Sequence, residues 1–283
     1  MRSGRVLGVI PARLGSVRLP RKPLHPLAGR PLIEWVWRRV SSFQFFDQLV
    51  IATDSDEIAQ TARGFGAHVV LTSPSHPSGT DRVAEVAALP QFADCGVIVN
   101  VQGDEPFIER EPIEQSARLV QTGWPVGTPA TPVRTLAAWR DPAVVKVTRG
   151  RSGAALYFSR APIPHNRDGD PTPEQLCSSE FLRHLGVYAY AADTLREWVA
   201  LPEHPLERLE HLEQLRALAA GIQIGVAVVA SVSEGVDTLE DAERAERRIR
   251  AENTMEHLRI PMLDLQQQIQ QELLKNPFLD LEP

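Results

Sequence analysis

Between Ile10 and Leu24 the chain reads IPARLGSVRLPRKPL, which places Arg13, Arg18, Arg21 and Lys22 in one loop after an apolar run. Four cations this close together attract a polyanion. The whole chain carries a formal net charge of −6 and has a pI near 5.8, so the loop is a local exception in an acidic protein. That contrast fits a small anionic ligand better than a nucleic-acid surface, where basic charge spreads over a face. Gly15 and Ser16 are small enough to let phosphates approach the backbone. A solvated basic turn is the other reading of the same residues. Neither G-x-x-x-x-G-K-[ST] nor G-x-G-x-x-G occurs, which sets aside a P-loop and a dinucleotide fingerprint.

The segment Asn100 to Pro106, NVQGDEP, sets Gln102 and Asp104 just beyond a second apolar run, with Gly103 permitting close backbone approach. Asp104 is the first metal-ligand candidate. A triphosphate brings Mg²⁺, a hard ion held by one or two carboxylates together with phosphate oxygens and water. Asp104 also reads as a turn residue before Pro106. Asp237, in the turn GVDT, is the second candidate and also reads as an ordinary helix N-cap. Together the two acids carry more weight, because strand ends distant in sequence can converge on one site. SGTDR, from Ser78 to Arg82, offers hydroxyl and backbone donors at a helix start, suited to a base, ribose or phosphate. FLRHLGVYAY, from Phe181 to Tyr190, contributes Arg183, His184 and Tyr188, and alternation puts His184, Gly186, Tyr188 and Tyr190 on one strand face. A lone strand histidine is ordinarily structural. Glu213 and Gln214 fall on an amphipathic helical pattern whose solvated face ordinarily holds such residues. No Ser/His/Asp or Cys/His nucleophile is evident, and none is needed if a substrate hydroxyl attacks phosphorus directly, with positioning and charge neutralisation carrying catalysis.

The elements that must position these groups follow from apolar spacing. Val6 to Ile10 is a continuous apolar run of the kind that fills a parallel strand buried on both faces. Leu32 to Val40 has helical spacing, Leu49 to Ala52 is a second strand, and Ser55 followed by Asp56 and Glu57 marks a helix start. Strand His68 to Leu71, helix Thr80 to Leu89 and strand Val97 to Val101 continue the alternation, which specifies a doubly wound α/β sheet. Beyond residue 125 the texture becomes β-rich: Val144 to Thr148, Ala154 to Ser159 and His184 to Ala191, broken by a Pro- and Asp-rich loop from Pro162 to Pro173. A lid or smaller subdomain over about residues 125 to 230 is expected. Helix Leu206 to Ala219, strand Ile222 to Val229 and charged helix Thr238 to Arg250 follow.

At 283 residues with 43% hydrophobic and 23% charged content, the composition is ordinary for a globular chain. No apolar run approaches the ~20 residues that span a bilayer, and the N-terminus lacks a cleavable signal pattern, so a cytoplasmic enzyme with no membrane partner is expected. Cys95 and Cys177 show no metal-ligand spacing, and no disulfide framework is supported.

The blocks IPARLGSVRLPRKPL, IATDSDEI, SGTDR, VIVNVQGDEP, ALYFSRAPIP, FLRHLGVYAY, LEQLR and GVDT occur in one order over residues 5 to 250. Together they resemble the 3-deoxy-manno-octulosonate cytidylyltransferases, the bacterial CMP-Kdo synthetases; VQGDEP and FLRHLG are the most specific. The resemblance implies a Rossmann-like, doubly wound mixed sheet of the nucleotidyltransferase type, spanning residues 1 to 251. It implies transfer of CMP from CTP to the anomeric hydroxyl of 3-deoxy-manno-octulosonate (Kdo), with release of pyrophosphate, for lipopolysaccharide biosynthesis. Mg²⁺ and a homodimer are implied with it. By the same resemblance Arg13, Ser16, Arg18 and Lys22 hold the CTP phosphates, and Ser78 and Gln102 help to read the cytosine and ribose. Asp104 and Asp237 match metal-binding acids. Arg160, His184, Tyr188, Glu213 and Gln214 match the sugar-acid pocket, the arginine and histidine suiting a carboxylate and the others hydroxyls. Lys22, Arg18 and Asp104 would carry catalysis.

Sialate cytidylyltransferases, or an 8-amino-Kdo enzyme, are the neighbouring alternatives. A non-catalytic nucleotide-sensing module is the rival from another class, and the complete basic loop with both acids argues against it. Two departures stand out. Arg21 occupies a position where the family commonly has a small residue, often glycine, and the loop Asn166 to Pro173 has its own sequence.

Residues 252 to 283 lie beyond the family pattern. Met262, Leu265, Ile269 and Leu273 recur at helical steps, so an amphipathic helix from about Met262 to Lys275 is expected, and so short an apolar stripe needs a partner surface. LDLQQQIQQELLKNPFLDLEP also resembles the activator-contact region of the enhancer-dependent alternative sigma factor. A dimer arm or a fusion remnant is the plainer reading of it.

Overall fold

The computed structural model describes residues 4–16, 18–230 and 235–252. The first apolar run is β1 (Arg5–Ala12), followed by a short ribbon, β2 (Pro26–Leu27) and β3 (Arg30–Pro31), and by α1 (Leu32–Ser41). The alternation then runs β4 (Gln48–Thr53), α2 (Asp56–Gly64), β5 (His68–Leu71), α3 (Gly79–Ala87) and β6 (Cys95–Asn100). Ser55 caps α2 as its sequence signals: its hydroxyl accepts from the Ile58 N–H at 3.4 Å. Next come α4 (Arg110–Gln121), β7 (Val126–Pro132), α5 (Leu136–Arg140), β8 (Lys146–Arg149), β9 (Ala155–Ser159) and α6 (Pro173–Leu176). The remainder is β10 (Leu182–His184), β11 (Tyr188–Ala191), α7 (Ala192–Ala200), α8 (Pro205–Glu210), α9 (Gln214–Ala219), β12 (Ile224–Val228) and a last helix, α10, over residues 239–252.

Ten strands form one mixed sheet in the order β5-β4-β1-β6-β11-β7-β10-β8-β9, with β12 on the other edge of β7. The half from β5 to β6 is parallel, and its inner strands β1, β4 and β6 are apolar on both sides because helices cover both faces. One face buries Ile10, Val99 and Val101 under α1, α4 and α10, represented by Val36, Ile113 and Ile249. The other buries Leu7, Val50 and Ile98 under α3, α7 and α9, represented by Val83, Trp198 and Leu215. From β11 onward the pairings are antiparallel except β12 with β7.

Three expectations are revised. The run from His184 to Ala191 is two strands, because the chain changes neighbours at Leu185–Val187: β10 pairs with β7 and β8, and β11 with β6 and β7. Side chains satisfy part of that break, with Gln102 Nε2 donating to the Gly186 carbonyl at 2.8 Å and the Thr128 hydroxyl to that of Val187 at 2.7 Å. The helix from Leu206 to Ala219 is also two, α8 and α9, separated at His211, whose φ of 50° is left-handed. Leucine spacing runs on through the break, so periodicity does not register it. Third, α4 and α7 are helices where the apolar spacing assigns no element. The tail helix from Met262 to Lys275 and its partner surface lie outside the described residues. Among the described residues no helix is long and apolar enough to cross a membrane.

Candidate active site

β1 and β6 are parallel neighbours, and their C-terminal ends launch the two loops that carry most of the candidate residues. The Val101 N–H donates to the Val9 carbonyl at 2.9 Å, which carries the pairing to the edge of the site. Gly103 is what lets the loops touch. A Cβ there would stand 2.8 Å from the Pro11 carbonyl oxygen, closer than carbon and oxygen tolerate. In the first loop the buried Leu19 anchors the chain, and the turn Lys22–Leu24 starts from Arg21 in the left-handed region at φ 56°. Between the loops lies a pocket of about 420 Å³, lined by Arg13, Ser16, Arg18 and Lys22 on one side and by Gln102 and Asp104 on the other, with Asp237 closing it. Arg13 and Arg18 are exposed, so a ligand entering the pocket can reach them.

Lys22 joins the two acids. Its ammonium is hydrogen-bonded to Asp104 and, at 2.7 Å, to Asp237, whose other oxygen lies 3.1 Å from the Arg18 guanidinium. Burial works against the charged form of Lys22, but the two carboxylates outweigh it and hold its pKa above the ordinary lysine value. The main chain fixes this meeting: the Val236 N–H donates to the Asp104 carbonyl at 2.8 Å. Asp237 is not the helix cap. Thr238 takes that role, its hydroxyl accepting from the Asp241 N–H at 3.2 Å, while Asp241 accepts from the N–H groups of Thr238 and Asp237 at 2.9 and 3.1 Å. The Asp237 carboxylate is thereby left for the pocket.

A second pocket of about 580 Å³ adjoins the first and shares Gln102, Asp104 and Asp237 with it. Arg160, His184, Tyr188 and Gln214 line it. Gln102, held by Gly186 at the break between β10 and β11, therefore stands at the junction. The Thr128 hydroxyl has one proton and directs it to the Val187 carbonyl, so in its 2.8 Å bond with His184 it accepts from Nε2–H. His184 is then neutral with Nδ1 as an acceptor, and burial, helped by Arg183, pushes its pKa down to about 3. A neutral acceptor suits a ligand hydroxyl, not the carboxylate expected from the sequence. The buried Tyr188 hydroxyl has no hydrogen-bond partner, and burial raises its pKa well above the ordinary phenol, so it stays a neutral donor.

Two sequence candidates stand behind the walls. Ser78 caps α3: its hydroxyl accepts from the Asp81 N–H at 3.2 Å and donates to the Asp81 carboxylate at 2.6 Å, and it is absent from both linings. Glu213 accepts from the Thr80 hydroxyl and the Trp198 indole, each at 3.1 Å, and burial raises its pKa. It is thus no solvated helix residue, but it braces α3 and α7 rather than facing the pocket. Sequence reasoning assigned no role to Arg183, which lines the second pocket; its place in FLRHLG was the available signal.

The sequence profile of the Cytidylyltransferase family matches residues 7–224. The 3-deoxy-manno-octulosonate cytidylyltransferase of Gemmatimonas aurantiaca is 49% identical over 241 residues, covering 85% of this chain and 92% of the relative. That of Syntrophotalea carbinolica is 46% identical over 249 residues, covering 87% and 98%. Among solved structures, a CMP:2-keto-3-deoxy-manno-octonic acid synthetase complexed with CTP superposes with a TM-score of 0.79 at 36% identity, covering 88% of this chain and 99% of the other. The family match over residues 7–224 takes in every pocket residue named above except Asp237, and the chain belongs to the cytidylyltransferase family, among the 3-deoxy-manno-octulosonate cytidylyltransferases.

Proposed function

We infer that the chain transfers CMP from CTP to Kdo, forming CMP-Kdo and pyrophosphate for lipopolysaccharide biosynthesis. The observation that carries this reading is the junction of the two pockets, where Lys22, Asp104, Asp237 and Gln102 stand between a cation-lined cleft and a hydroxyl-binding one. CTP occupies the first pocket, with Arg13, Ser16, Arg18 and Lys22 on its phosphates and Gln102 towards the nucleoside. Kdo occupies the second, where Tyr188 donates to a sugar hydroxyl, His184 accepts from another, and Gln214 and Arg160 complete the wall. The anomeric oxygen of Kdo forms a bond to the α-phosphorus, its proton passes to water, and the bond from that phosphorus to the pyrophosphate oxygen breaks. Lys22 and Arg18 neutralise the charge that develops on the leaving pyrophosphate.

Asp104 and Asp237 would hold Mg²⁺. The fit rests on what these carboxylates already do, since both turn towards the same ammonium, and a cation is therefore accommodated between two hard oxygen donors. Among the described residues no third His, Cys, Asp or Glu joins them, so phosphate and water oxygens must complete the coordination. When bound, the ion supplies Lewis-acid polarisation of the phosphate. Residues 1 to 251 form the enzyme, with the sugar-acid part over about 125 to 230, and it acts in the cytoplasm as a homodimer. The test is pyrophosphate release from CTP and Mg²⁺ with Kdo, with N-acetylneuraminate and with neither. Release that needs Kdo is expected; release with N-acetylneuraminate alone would move the chain to the sialate enzymes, and nucleotide binding without turnover would make it a sensing module.

A further inference from the structure

The acceptor is a 2-keto acid sugar, so its carboxylate is attached to the carbon that bears the attacking hydroxyl. Holding that carboxylate orients the nucleophile. It also brings negative charge beside a triphosphate, so a cation of the second pocket must meet it. His184 is neutral and does not qualify. Two arginines line the pocket, Arg160 and Arg183.

Arg160 is committed to the frame. Its Nε donates to the Glu210 carbonyl at 2.7 Å, and its two terminal nitrogens to the carbonyls of Pro142 at 3.0 Å and His211 at 3.4 Å. Its main-chain N–H donates to the Glu210 carboxylate at 2.9 Å and its carbonyl accepts from Lys146 at 2.6 Å. The Lys146 ammonium is likewise occupied, by three main-chain carbonyls. These bonds tie α8, β8 and β9 into one wall.

Arg183 has none of this. Its guanidinium has no hydrogen bond or ion pair among the described residues, and its Nε is buried without a partner. The backbone beneath it is rigid, because β10 is paired on both sides, with Arg183 opposite Thr131 of β7 and Lys146 of β8. A buried guanidinium nitrogen without a partner is costly, and a carboxylate that takes this Nε together with a terminal nitrogen offsets that cost. On the reading that the acceptor is a sugar acid, we propose that Arg183 binds its carboxylate, leaving Arg160 to hold the pocket wall.

The experiment compares Kdo with its C1 carboxamide as acceptor, for the full chain, Arg183→Gln and Arg183→Lys, with CTP affinity measured by calorimetry. The wild type should prefer the acid over the amide by about 10- to 150-fold in kcat/KM, the range for hydrogen bonds to a charged group. Arg183→Gln should lose that preference through KM for Kdo with CTP affinity unchanged. Arg183→Lys, which keeps the charge without the fork, should retain part of it and serves as the test if the glutamine variant does not fold. A preference as large in either variant as in the wild type overturns the proposal, as does an effect confined to CTP. Wild-type turnover with Kdo reads the acceptor assignment separately, and a wild type that used only N-acetylneuraminate would put the same acid-against-amide comparison on that sugar.

Discussion

Single side chains here are defined by what their neighbours leave them free to do. Asp237 reaches the pocket because Thr238 and Asp241 cap α10 between themselves. His184 is an acceptor because Thr128 has already given its proton to Val187. The neutrality of His184 has a pH consequence. His184 keeps its neutral form down to about pH 3, whereas an unperturbed imidazole takes its proton near 6.5. Between those values the unfolded chain binds the extra proton, so stability is complete above pH 6.5 and falls as the pH drops towards 3. The limiting slope is about 1.4 kcal/mol per pH unit. Urea unfolding at neutral pH and about one and a half units below it should show the wild type losing about 1 kcal/mol more than His184→Asn. Equal losses would mean that His184 protonates in the folded protein.

Elements explain both what the sequence revealed and what it hid. The parallel half was readable because strands buried on both faces must be continuously apolar, and β1, β4, β5 and β6 fall where such runs occur. The breaks at Leu185–Val187 and at His211 were not readable, because hydrogen bonds from distant side chains and one left-handed residue create them without interrupting the apolar pattern. Among the site residues, Lys22 and the two acids could be picked from charge and position, but Glu213 resembled a surface helix residue until Trp198 and Thr80 were placed against it. Arg21 links the two levels. Its left-handed conformation, φ 56°, accounts for the small residue common at this point in the family, while its side chain is tied to Glu57. Arg21→Gly should therefore be more stable than Arg21→Ala by about 1 kcal/mol. Thermal unfolding of the two variants checks this, and an alanine variant at least as stable would contradict it.

Over the whole molecule, the single sheet runs from the nucleotide-side strands through to β9, the last strand of the path, and the residue before β9 returns to β12 through the Ala154–Gly225 bridge. Leu156 on β9 is 64% exposed and Leu209 on α8 is 78% exposed, and the Ser159–Glu210 hydrogen bond at 2.6 Å joins those two elements. An edge strand beside exposed leucines is a surface to be covered. The homodimer proposed above would cover it with a second copy. Leu209→Glu should then shift sedimentation from dimer to monomer while the protomer keeps its circular dichroism; an unchanged dimer would place the interface elsewhere. Composition and periodicity could not have located this side, because exposure is a property of the assembled sheet.

The central claim is that Asp104 and Asp237, drawn together by Lys22 at the junction of the pockets, carry the transfer of CMP. Kdo-dependent pyrophosphate release by Asp104→Asn tests it most directly, with circular dichroism confirming the fold. The account predicts that kcat falls by about a thousandfold or more, as expected when transition-state charge stabilisation is removed. Turnover close to that of the wild type would contradict it.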